Sequence, residues 1–302
     1  MNDAEISDSL DQLTIILVTY NSAHILRASL PMLRDIEHVL IVDNASSDAS
    51  VALAGELLPQ ARIIRNSENL GFGRANNMGL EQVTTPYALL LNPDCTIAPD
   101  SLRALVDAAR RYPEAAILAP KIDATIGVPT DNFRPAFHVK LRPAVNLSMS
   151  GGDLCTDWLI GAAMFMNMQH MRRVGFFDPW FFLFYEEEDL CMRVRQAGLQ
   201  IMVIPAAVAM HDSGQSTQSV KPQSFRRVYY LTLSRLYLTR KQFGRLAFLR
   251  KISSVFLGSL LGLPFYAALM NRRLAMRNIA RLLAAVRAPS QLSRPHCQPL
   301  KD

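Results

Sequence analysis

The first 120 residues alternate between short apolar runs and longer segments with helical spacing, and this alternation restricts the fold more than any other feature. The apolar runs occupy residues 14–19, 39–43, 61–65 and 87–91. The segments predicted to be helical occupy residues 22–34, 47–58 (capped by Ser46 or Ser47, with Asp48 in the first turn), 73–83 and 99–111. Continuous apolar runs are typical of strands covered on both faces. The order predicts an α/β fold with an open, mostly parallel sheet flanked by helices.

Polar side chains follow three of these strands where each strand ends. They are found at residues 19–21, at Asp43 and Asn44, and at residues 92–94. The carboxyl ends of parallel strands meet at one edge of a sheet, and ligands bind beyond that edge. We therefore expect the three groups to converge on one crevice.

Four acids in a row, Glu186 to Asp189, follow the apolar run 181–185. Crowded carboxylates beside apolar surface repel one another and lose hydration, which indicates a metal, a proton transfer or both. Helical spacing places Glu186 and Asp189 on adjacent surface and turns Glu187 about 100° away from Glu186. Asp189 can also pair with Arg193, four residues later. The alternative is an acidic first helical turn that the helix dipole favours.

Two further positions carry groups that suit a divalent cation. Asp94 follows Asn92-Pro93 and offers one carboxylate, as a Mg²⁺ or Mn²⁺ that bridges a diphosphate requires. His211 follows the apolar run 201–210, and an imidazole ligand favours Mn²⁺ over Mg²⁺. The alternatives are a turn aspartate and a buried, hydrogen-bonded histidine.

Asp43 and a glycine-rich turn suit a nucleotide. Asp43 can accept hydrogen bonds from a nucleobase or ribose, or it can cap the following helix. The segment 69–77 places Gly71 and Gly73 before a predicted helix, where exposed amides favour an anion such as a diphosphate. A glycine-rich turn is weak evidence when it stands alone.

Charge is distributed unevenly along the chain. Residues 221–302 contain 16 Lys or Arg and one acid, whereas residues 1–220 contain 16 basic and 25 acidic side chains. Residues 252–271 are uncharged and include Pro264, with basic flanks on both sides. The segment is long enough to span a membrane, but this pattern favours a segment that lies in the plane of an anionic membrane surface, or a shallow re-entrant hairpin. A helical subdomain is the alternative. No nucleic-acid motif accompanies the charge, so we expect no nucleic-acid partner.

We divide the chain into a tail (1–12), a catalytic domain (13–220) and a basic, amphipathic helical extension (221–302). The catalytic domain comprises a nucleotide-binding half (13–120) and an acceptor half (121–220), with a loop predicted at 125–153. The first eleven residues contain four acids, unlike a signal peptide, and the four cysteines are widely spaced. These features are typical of a cytoplasmic protein with reduced thiols.

Several ordered motifs over residues 13–217 resemble those of the family 2 glycosyltransferases, and most closely the rhamnosyltransferase-like enzymes of bacterial surface polysaccharide assembly. The motifs are Val18-Thr19-Tyr20-Asn21-Ser22, Val42-Asp43-Asn44, Asn69-x-Gly71-x-Gly73-x-x-Asn76-Asn77, Leu91-Asn92-Pro93-Asp94, Trp158-x-x-Gly161-Ala162, Val174-Gly175-x-Phe177-Asp178, 181–193 and His211-x-x-Gly214-x-Ser216. The resemblance implies a GT-A fold, a nucleotide-sugar donor, a divalent metal and inversion at the anomeric carbon.

The resemblance also assigns roles to residues. Those implied to hold the nucleotide-sugar are Thr19, Tyr20, Asn21, Asp43, Asn69, Gly71, Asn76 and Asn92. Asp94 matches the last acid of the family's DxD metal motif, and His211 matches a histidine that can join it. Glu187 occupies the position of the catalytic base, with Glu186 before it. Two departures are evident: Asn-Pro-Asp has one carboxylate fewer than DxD, and the base position holds Glu instead of Asp, which leaves Asp189 as a rival base.

The expected donor is dTDP-rhamnose or a UDP-sugar, and the expected acceptor is a polyprenyl-diphosphate-linked glycan at the cytoplasmic face of the cell membrane. Two alternatives come from other classes. A sugar nucleotidyltransferase usually has a Gly-rich, basic loop after the first strand, whereas this chain has Thr19-Tyr20-Asn21-Ser22. A membrane-docked binding protein without catalytic activity would be consistent with the missing carboxylate.

Overall fold

The structure is a computed structural model that describes residues 10–123, 152–211 and 225–300. It contains two compact units. The sheet unit comprises Met1–Leu70, Ala75–Phe177 and Glu187–Gln218, and the helical unit comprises Gly71–Arg74, Asp178–Glu186 and Ser219–Asp302. The loop predicted at 125–153 and the residues after His211 in the last motif fall almost entirely outside the described ranges.

Nine strands form one mixed sheet in the sheet unit. They are β1 (Leu13–Thr19), β2 (Val39–Asp43), β3 (Arg62–Arg65), β4 (Tyr87–Leu91), β5 (Cys95–Ile97), β6 (Ala115–Asp123), β7 (Leu154–Cys155), β8 (Ala163–Asn167) and β9 (Gln200–His211). The order is β3-β2-β1-β4-β8-β6-β9-β5, and β7 pairs with β9. Strands β1 to β4 are parallel to one another, as predicted, and β8, β5 and β7 add antiparallel pairs.

Eight α-helices lie in the described part of the chain. They are α1 (Ala23–Ser29), α2 (Ser50–Leu57), α3 (Phe72–Leu80), α4 (Pro99–Arg111), α5 (Met168–Val174), α6 (Glu186–Gln196), α7 (Phe225–Ala268) and α8 (Arg272–Gln291). The predicted bounds of α4 are confirmed. Together with the sheet, these helices confirm the predicted α/β architecture and the helical C-terminal extension.

Three predicted helices begin or end elsewhere. The helix predicted over 73–83 is α3, which ends at Leu80. The helix predicted over 22–34 ends at Ser29, and a 3-10 turn over Leu30–Leu33 with Pro31 follows it. The prediction that Ser46 or Ser47 caps the next helix is wrong, because α2 begins only at Ser50. The carboxylate of Asp48 accepts hydrogen bonds from the amides of Ala23 and Ser50, both at 3.0 Å, and so fixes a loop before the helix starts.

Strand β5 forces the sheet to curl. Only three residues separate β4 from β5, yet the two strands occupy the fourth and eighth positions in the strand order. Four spacings in a flat sheet would cover roughly 19 Å. The chain from Leu91 to Cys95 can span at most about 14 Å. The far edge of the sheet therefore turns back toward the carboxyl end of β4.

The helical unit is built around aromatic side chains of residues 178–185 and of α7. The indole of Trp180 stacks on the ring of Tyr237 with centroids 3.8 Å apart. The hydroxyl of Ser234 donates to the carbonyl of Leu183 at 2.9 Å. Asp178 accepts from Tyr237 at 2.9 Å and from Lys241 at 2.6 Å, and these interactions lower its pKa despite burial.

Helices α7 and α8 pack on each other. The backbone of α7 is interrupted at Gly244, where φ is +83°. The Asn271 side chain caps α8 by accepting from the amide of Leu274 at 3.1 Å. Within the described residues, Phe225–Tyr266 is long and apolar enough to cross a membrane by length and composition, and 11% of its most apolar window is buried.

Gly71 lies where no side chain fits. Its φ of +83° is a backbone conformation that L side chains rarely adopt, and an added Cβ would lie 2.0 Å from the carbonyl oxygen of Phe182. The next amide, that of Phe72, donates to the same carbonyl at 3.1 Å. This close approach joins the start of α3 to residues 178–186.

We predict that Gly71→Ala lowers the free energy of unfolding by roughly 2 kcal/mol or more, because the variant combines backbone strain with a backbone clash. The urea midpoint measures the effect. Gly152→Ala is the matched control, since an exposed Cβ there would meet no atom within 4 Å. Equal midpoints for the two variants would contradict this explanation of Gly71.

Candidate active site

Asp94 and His211 lie side by side as a consequence of the pairing of β5 with β9. Cys95 is opposite His211 in that antiparallel pair. The Nε2 atom of His211 is 3.3 Å from Oδ1 of Asp94, and the Asp94 side chain is almost wholly buried. Two positions 117 residues apart in the sequence thus form one polar pair.

This pair has donor atoms that fit a divalent cation. Two ligands in neighbouring octahedral positions, each about 2.1 Å from Mg²⁺, lie roughly 3 Å apart, close to the observed separation. A carboxylate oxygen with an imidazole nitrogen suits Mn²⁺ as well. The buried Sγ of Cys95 lies within 4.8 Å of the other two donor atoms. Because thiolates prefer softer metals, we regard Cys95 as a neighbour of the pair and not as a ligand.

Thr19 and Asp43 meet at the ends of β1 and β2, where they are opposite one another in the parallel register. The hydroxyl of Thr19 donates to Oδ1 of Asp43 at 3.1 Å, and the amide of Ser46 donates to Oδ2 at 3.0 Å. Asp43 therefore orders the loop after β2. Each carboxylate oxygen has a further lone pair for another donor.

Asn21 fastens the loop after β1 to the loop after β2. Its backbone is left-handed, with φ of +52°. The backbone amide of Asn21 donates to Oγ of Ser46 at 2.9 Å. The side-chain oxygen of Asn21 accepts from the backbone amide of Ser47 at 2.8 Å. Tyr20, the preceding residue, is partly exposed at this edge.

Asparagines connect the loops after β2 and β3. The side chain of Asn44 donates to Asn69 at 2.9 Å and accepts from Asn66 at 3.1 Å and from the amide of Leu70 at 2.9 Å. Asn76, in α3, is buried. Gly71 belongs to the helical unit, and its tight packing against Phe182 is sufficient to explain why this position is a glycine, with no need for a bound ligand.

The carboxylate of Glu187 is held next to Gly161. The backbone amides of Gly161 and of Glu187 itself donate to it, and burial raises its pKa despite these hydrogen bonds. A Cβ at position 161 would lie 2.5 Å from Oε1 of Glu187, so only glycine leaves this space open. A carboxyl with a raised pKa is suited to accept a proton.

The neighbouring acids have different surroundings. The Asp189 side chain is fully buried, and its Oδ2 accepts from Nε of Arg193 at 2.9 Å, which confirms the predicted i,i+4 pair. Arg193 also donates to the carbonyls of Val174, Gly175 and Phe176. Glu186 is buried and belongs to the helical unit. Glu188, a position to which the sequence assigned no role, is also buried.

The segment 159–163 connects Glu187 to the end of β4. Ala163 is opposite Leu91 in the antiparallel pair of β8 with β4, and the amide of Asn92 donates to the carbonyl of Ala162 at 2.9 Å. The adjacent Gly161 contacts Glu187. One short stretch of backbone thus lies between the Glu187 carboxylate and the Asn92–Asp94 turn.

Sequence reasoning missed the roles of three residues. Gly161 was visible as part of the Trp158-x-x-Gly161-Ala162 motif, but only the structure shows that it makes room for Glu187. Asn44 joins the loops after β2 and β3, and its position after a strand-end aspartate was the signal. The proximity of Cys95 to His211 had no signal in the sequence.

Residues 14–168, more than half of the 302-residue chain, match the sequence model of Glycosyl transferase family 2, and the chain belongs to this family. It is 28% identical over 239 residues to N-acetylglucosaminyl-diphospho-decaprenol L-rhamnosyltransferase of Mycobacterium tuberculosis, covering 68% of this chain and 78% of that protein. It is 27% identical over 204 residues to rhamnosyltransferase WbbL of Escherichia coli, covering 62% and 76%.

Among solved structures, the mannosyltransferase PcManGT from Pyrobaculum calidifontis, in complex with GDP-Man and Mn²⁺, resembles the chain with a TM-score of 0.55 at 16% identity, covering 92% of this chain and 87% of that one. At this identity the likeness shows the fold alone. The predicted GT-A fold and the resemblance to rhamnosyltransferase-like members of family 2 are thereby confirmed.

We predict that Arg193→Gln destabilises the protein by about 3–5 kcal/mol, because it removes the guanidinium that is ion-paired with the buried Asp189 carboxylate. The urea midpoint is the measurement. Arg195→Gln is the matched control, since Arg195 pairs with Asp157 at 2.9 Å but is 44% exposed and should contribute no more than about 1 kcal/mol. A loss of similar size in both variants would contradict the buried pair as the cause.

Proposed function

We propose that this glycosyltransferase moves a sugar, with rhamnose favoured, from a nucleoside-diphosphate donor to a hydroxyl of a polyprenyl-diphosphate-linked glycan in cell-surface polysaccharide assembly. The observation that carries the proposal is the Glu187 carboxylate, which has a raised pKa and is held at Gly161, next to the residue whose carbonyl accepts from the Asn92 amide. The M. tuberculosis relative is a rhamnosyltransferase whose name specifies a diphospho-decaprenol substrate. The donor is dTDP-rhamnose or a UDP-sugar.

The reaction is a single displacement with inversion. Glu187 takes the proton of the acceptor hydroxyl as that oxygen forms a bond to the anomeric carbon. The bond from the anomeric carbon to the diphosphate breaks, and the electron pair leaves with the nucleoside diphosphate. General-base catalysis of this kind contributes roughly 10²- to 10⁴-fold to the rate.

Asp94 and His211 would hold the divalent cation. When bound, Mg²⁺ or Mn²⁺ neutralises charge on the departing diphosphate. Asp94 supplies the single carboxylate and His211 a nitrogen, and this pairing favours Mn²⁺. The metal in the PcManGT complex is also Mn²⁺. The absent first acid of the DxD pattern, Asn92 here, implies modest metal affinity.

The strand-end loops would bind the rest of the donor. Asp43, fixed by Thr19, and the partly exposed Tyr20 lie at the edge expected to hold the nucleoside. Asn21 keeps the first two loops together. The segment 69–76, with Asn69, Gly71 and Asn76, borders the ribose and diphosphate in this proposal, although the Phe72 amide already donates to a protein carbonyl.

Because Asp189 is ion-paired with Arg193, we assign Asp189 a positioning role. The Asp189 carboxylate is fully buried and is held by the Arg193 guanidinium, which fixes its position and leaves the role of base to Glu187 in this proposal. Asp189 would instead orient α6, while Glu186, directly before Glu187, would help to orient the acceptor.

The helical extension would attach the enzyme to the inner face of the cell membrane. Its described residues include 14 Lys or Arg and no acid over 225–300. Large apolar side chains are exposed on the second half of α7, including Leu261 at 73% and Phe265 at 61%. Apolar insertion combined with arginine attraction to anionic lipid is typical of peripheral attachment. Localisation would thus be cytoplasmic and peripheral.

A donor screen tests the function. Pure protein is incubated with Mn²⁺ and a panel of nucleotide-sugars, and binding is followed by thermal shift, since a ligand stabilises the state that binds it. We expect a shift and slow release of nucleoside diphosphate with one donor. Release of pyrophosphate would instead indicate a nucleotidyltransferase, and no turnover with any donor or acceptor would indicate a binding protein without activity.

We predict that Glu187→Gln keeps donor binding near normal and lowers sugar transfer by roughly 10²-fold or more, because the amide cannot accept the proton. Transfer rate and donor thermal shift are measured on the same sample. Asp189→Asn serves as the comparison. Full transfer by Glu187→Gln, together with an inactive Asp189→Asn that is still folded, would move the base to Asp189.

The pH dependence of transfer should report the raised pKa of Glu187. Only the deprotonated carboxylate acts as base, so activity falls as pH drops through that raised pKa. We predict that the acid limb of kcat/KM lies above the ordinary glutamate value of about 4.3. An acid limb at or below that value would contradict Glu187 as the base.

We predict that Leu257→Ser with Leu261→Ser weakens flotation of the full-length protein with anionic liposomes by at least about tenfold, since each exposed leucine would lose roughly 1.5–3 kcal/mol of burial in the membrane. High salt should release part of the wild-type protein. Leu246→Ser with Leu249→Ser, at exposed positions nearer the start of α7, is the comparison. If the wild-type protein does not float with anionic liposomes, membrane attachment is wrong and the extension is a helical subdomain only.

A further inference from the structure

A cavity of about 690 Å³ lies within the helical unit, between α7, α8 and Tyr185. Its lining includes five cationic side chains: Arg227, Arg235, Lys251, Arg277 and Arg281. Among the described residues that line it, none is acidic. Ser254, Tyr266 and Asn278 add polar groups. The volume is within the usual range of small-molecule sites, and the charge selects for a polyanion.

The same helices carry exposed apolar side chains. Residues 254, 255, 258, 259, 262 and 266 of α7 line the cavity, whereas the intervening Leu257, Leu261 and Phe265 are 54%, 73% and 61% exposed. On α8, Arg277 lines the cavity and the neighbouring Met276 is 48% exposed. One stretch of chain thus offers a cationic cavity and an apolar outer surface, which matches a ligand with an anionic head and a long apolar tail.

One residue that lines the cavity directly precedes, in the sequence, the helix that carries the candidate base. Tyr185, with a left-handed φ of +68°, lines the cavity and directly precedes α6, which carries Glu187. The preceding Phe184 lies under the guanidinium of Arg227, 5.2 Å from its ring centroid. The Arg227 cation–π contact thus reaches residues that lead into α6.

We infer that this cavity binds the diphosphate group of the polyprenyl-linked acceptor, an inference that rests on the proposed function. Arginine presents several N–H donors in a fixed fork, which suits the oxygens of a diphosphate better than a diffuse surface charge does. An anionic phospholipid has one phosphate with a single charge, so the cavity should prefer a diphosphate lipid to phosphatidylglycerol.

The test measures binding of the full-length protein to three probes. They are phosphatidylcholine vesicles doped with polyprenyl diphosphate, vesicles of equal negative charge doped with phosphatidylglycerol, and inorganic pyrophosphate as a competitor. We expect the wild type to bind the diphosphate vesicles more tightly than the phosphatidylglycerol vesicles, and pyrophosphate to remove that difference.

Arg277→Gln with Arg281→Gln should weaken binding to the diphosphate vesicles by roughly tenfold or more per arginine, since hydrogen bonds to charged groups are lost. Arg272→Gln with Arg273→Gln is the matched control: both arginines are exposed on the same helix and outside the lining, so the net charge changes equally. The control should retain the preference for the diphosphate. An equal loss in both pairs, or a wild type without that preference, would overturn the inference.

Gly258→Phe provides a second variant that removes no charge. Gly258 lines the cavity, and a Cβ there would meet no atom within 4 Å, so a larger side chain can occupy the space without a clash at the backbone. We expect loss of the diphosphate preference with an unchanged thermal midpoint. Retention of the preference in both Gly258→Phe and Arg277→Gln with Arg281→Gln would overturn the inference.

The experiments distinguish failure of the cavity assignment from failure of the proposed function. If the wild type transfers sugar to a lipid-linked acceptor while the cavity variants bind diphosphate vesicles normally, the cavity assignment is wrong and the function stands. If the cavity binds polyprenyl diphosphate but no donor supports transfer, the function is wrong and the binding site stands.

Discussion

The pairing of β5 with β9 is the constraint on which the candidate site depends. Strand β5 follows β4 after only three residues but lies at the far edge of the sheet, so the sheet must curl. The same pairing places His211 beside Asp94, with the two donor atoms 3.3 Å apart. The hydrogen bond from Asn92 to Ala162 then brings in the segment that holds Glu187. The position of one short strand thus connects Asp94 and His211 to the segment that contacts Glu187.

The four consecutive acids at the start of α6 carry the same functional group, but their carboxylates have different hydrogen-bond and ion-pair partners. Asp189 is buried against Arg193, which gives it a fixed partner and ties α6 to three backbone carbonyls. Glu187 accepts from two backbone amides and, among the described residues, is not ion-paired with a cation; burial raises its pKa. Carboxylates with different partners have different proton affinities, and therefore different uses in one site.

The sequence was sufficient to predict β1 to β4 and α4, because buried parallel strands and a proline-started helix leave strong local patterns. It failed where long-range pairing decides the structure: β5 and β7 have three and two residues and no pattern of their own. The start of α2 was misplaced because Asp48 fixes a loop through Ala23, 25 residues away. The sequence also drew attention to Asp94, His211 and Glu187, whereas the space at Gly161 depends on contacts that only the folded chain brings together.

The central claim is a single displacement in which Glu187 deprotonates the acceptor while the nucleoside diphosphate leaves. The most direct measurement is the anomeric configuration of the transferred sugar, determined by NMR from the one-bond carbon–hydrogen coupling at the anomeric carbon in donor and product. We predict opposite configurations in the two molecules, with one nucleoside diphosphate released per sugar transferred. Retention of the donor's configuration, or release of pyrophosphate, would contradict it.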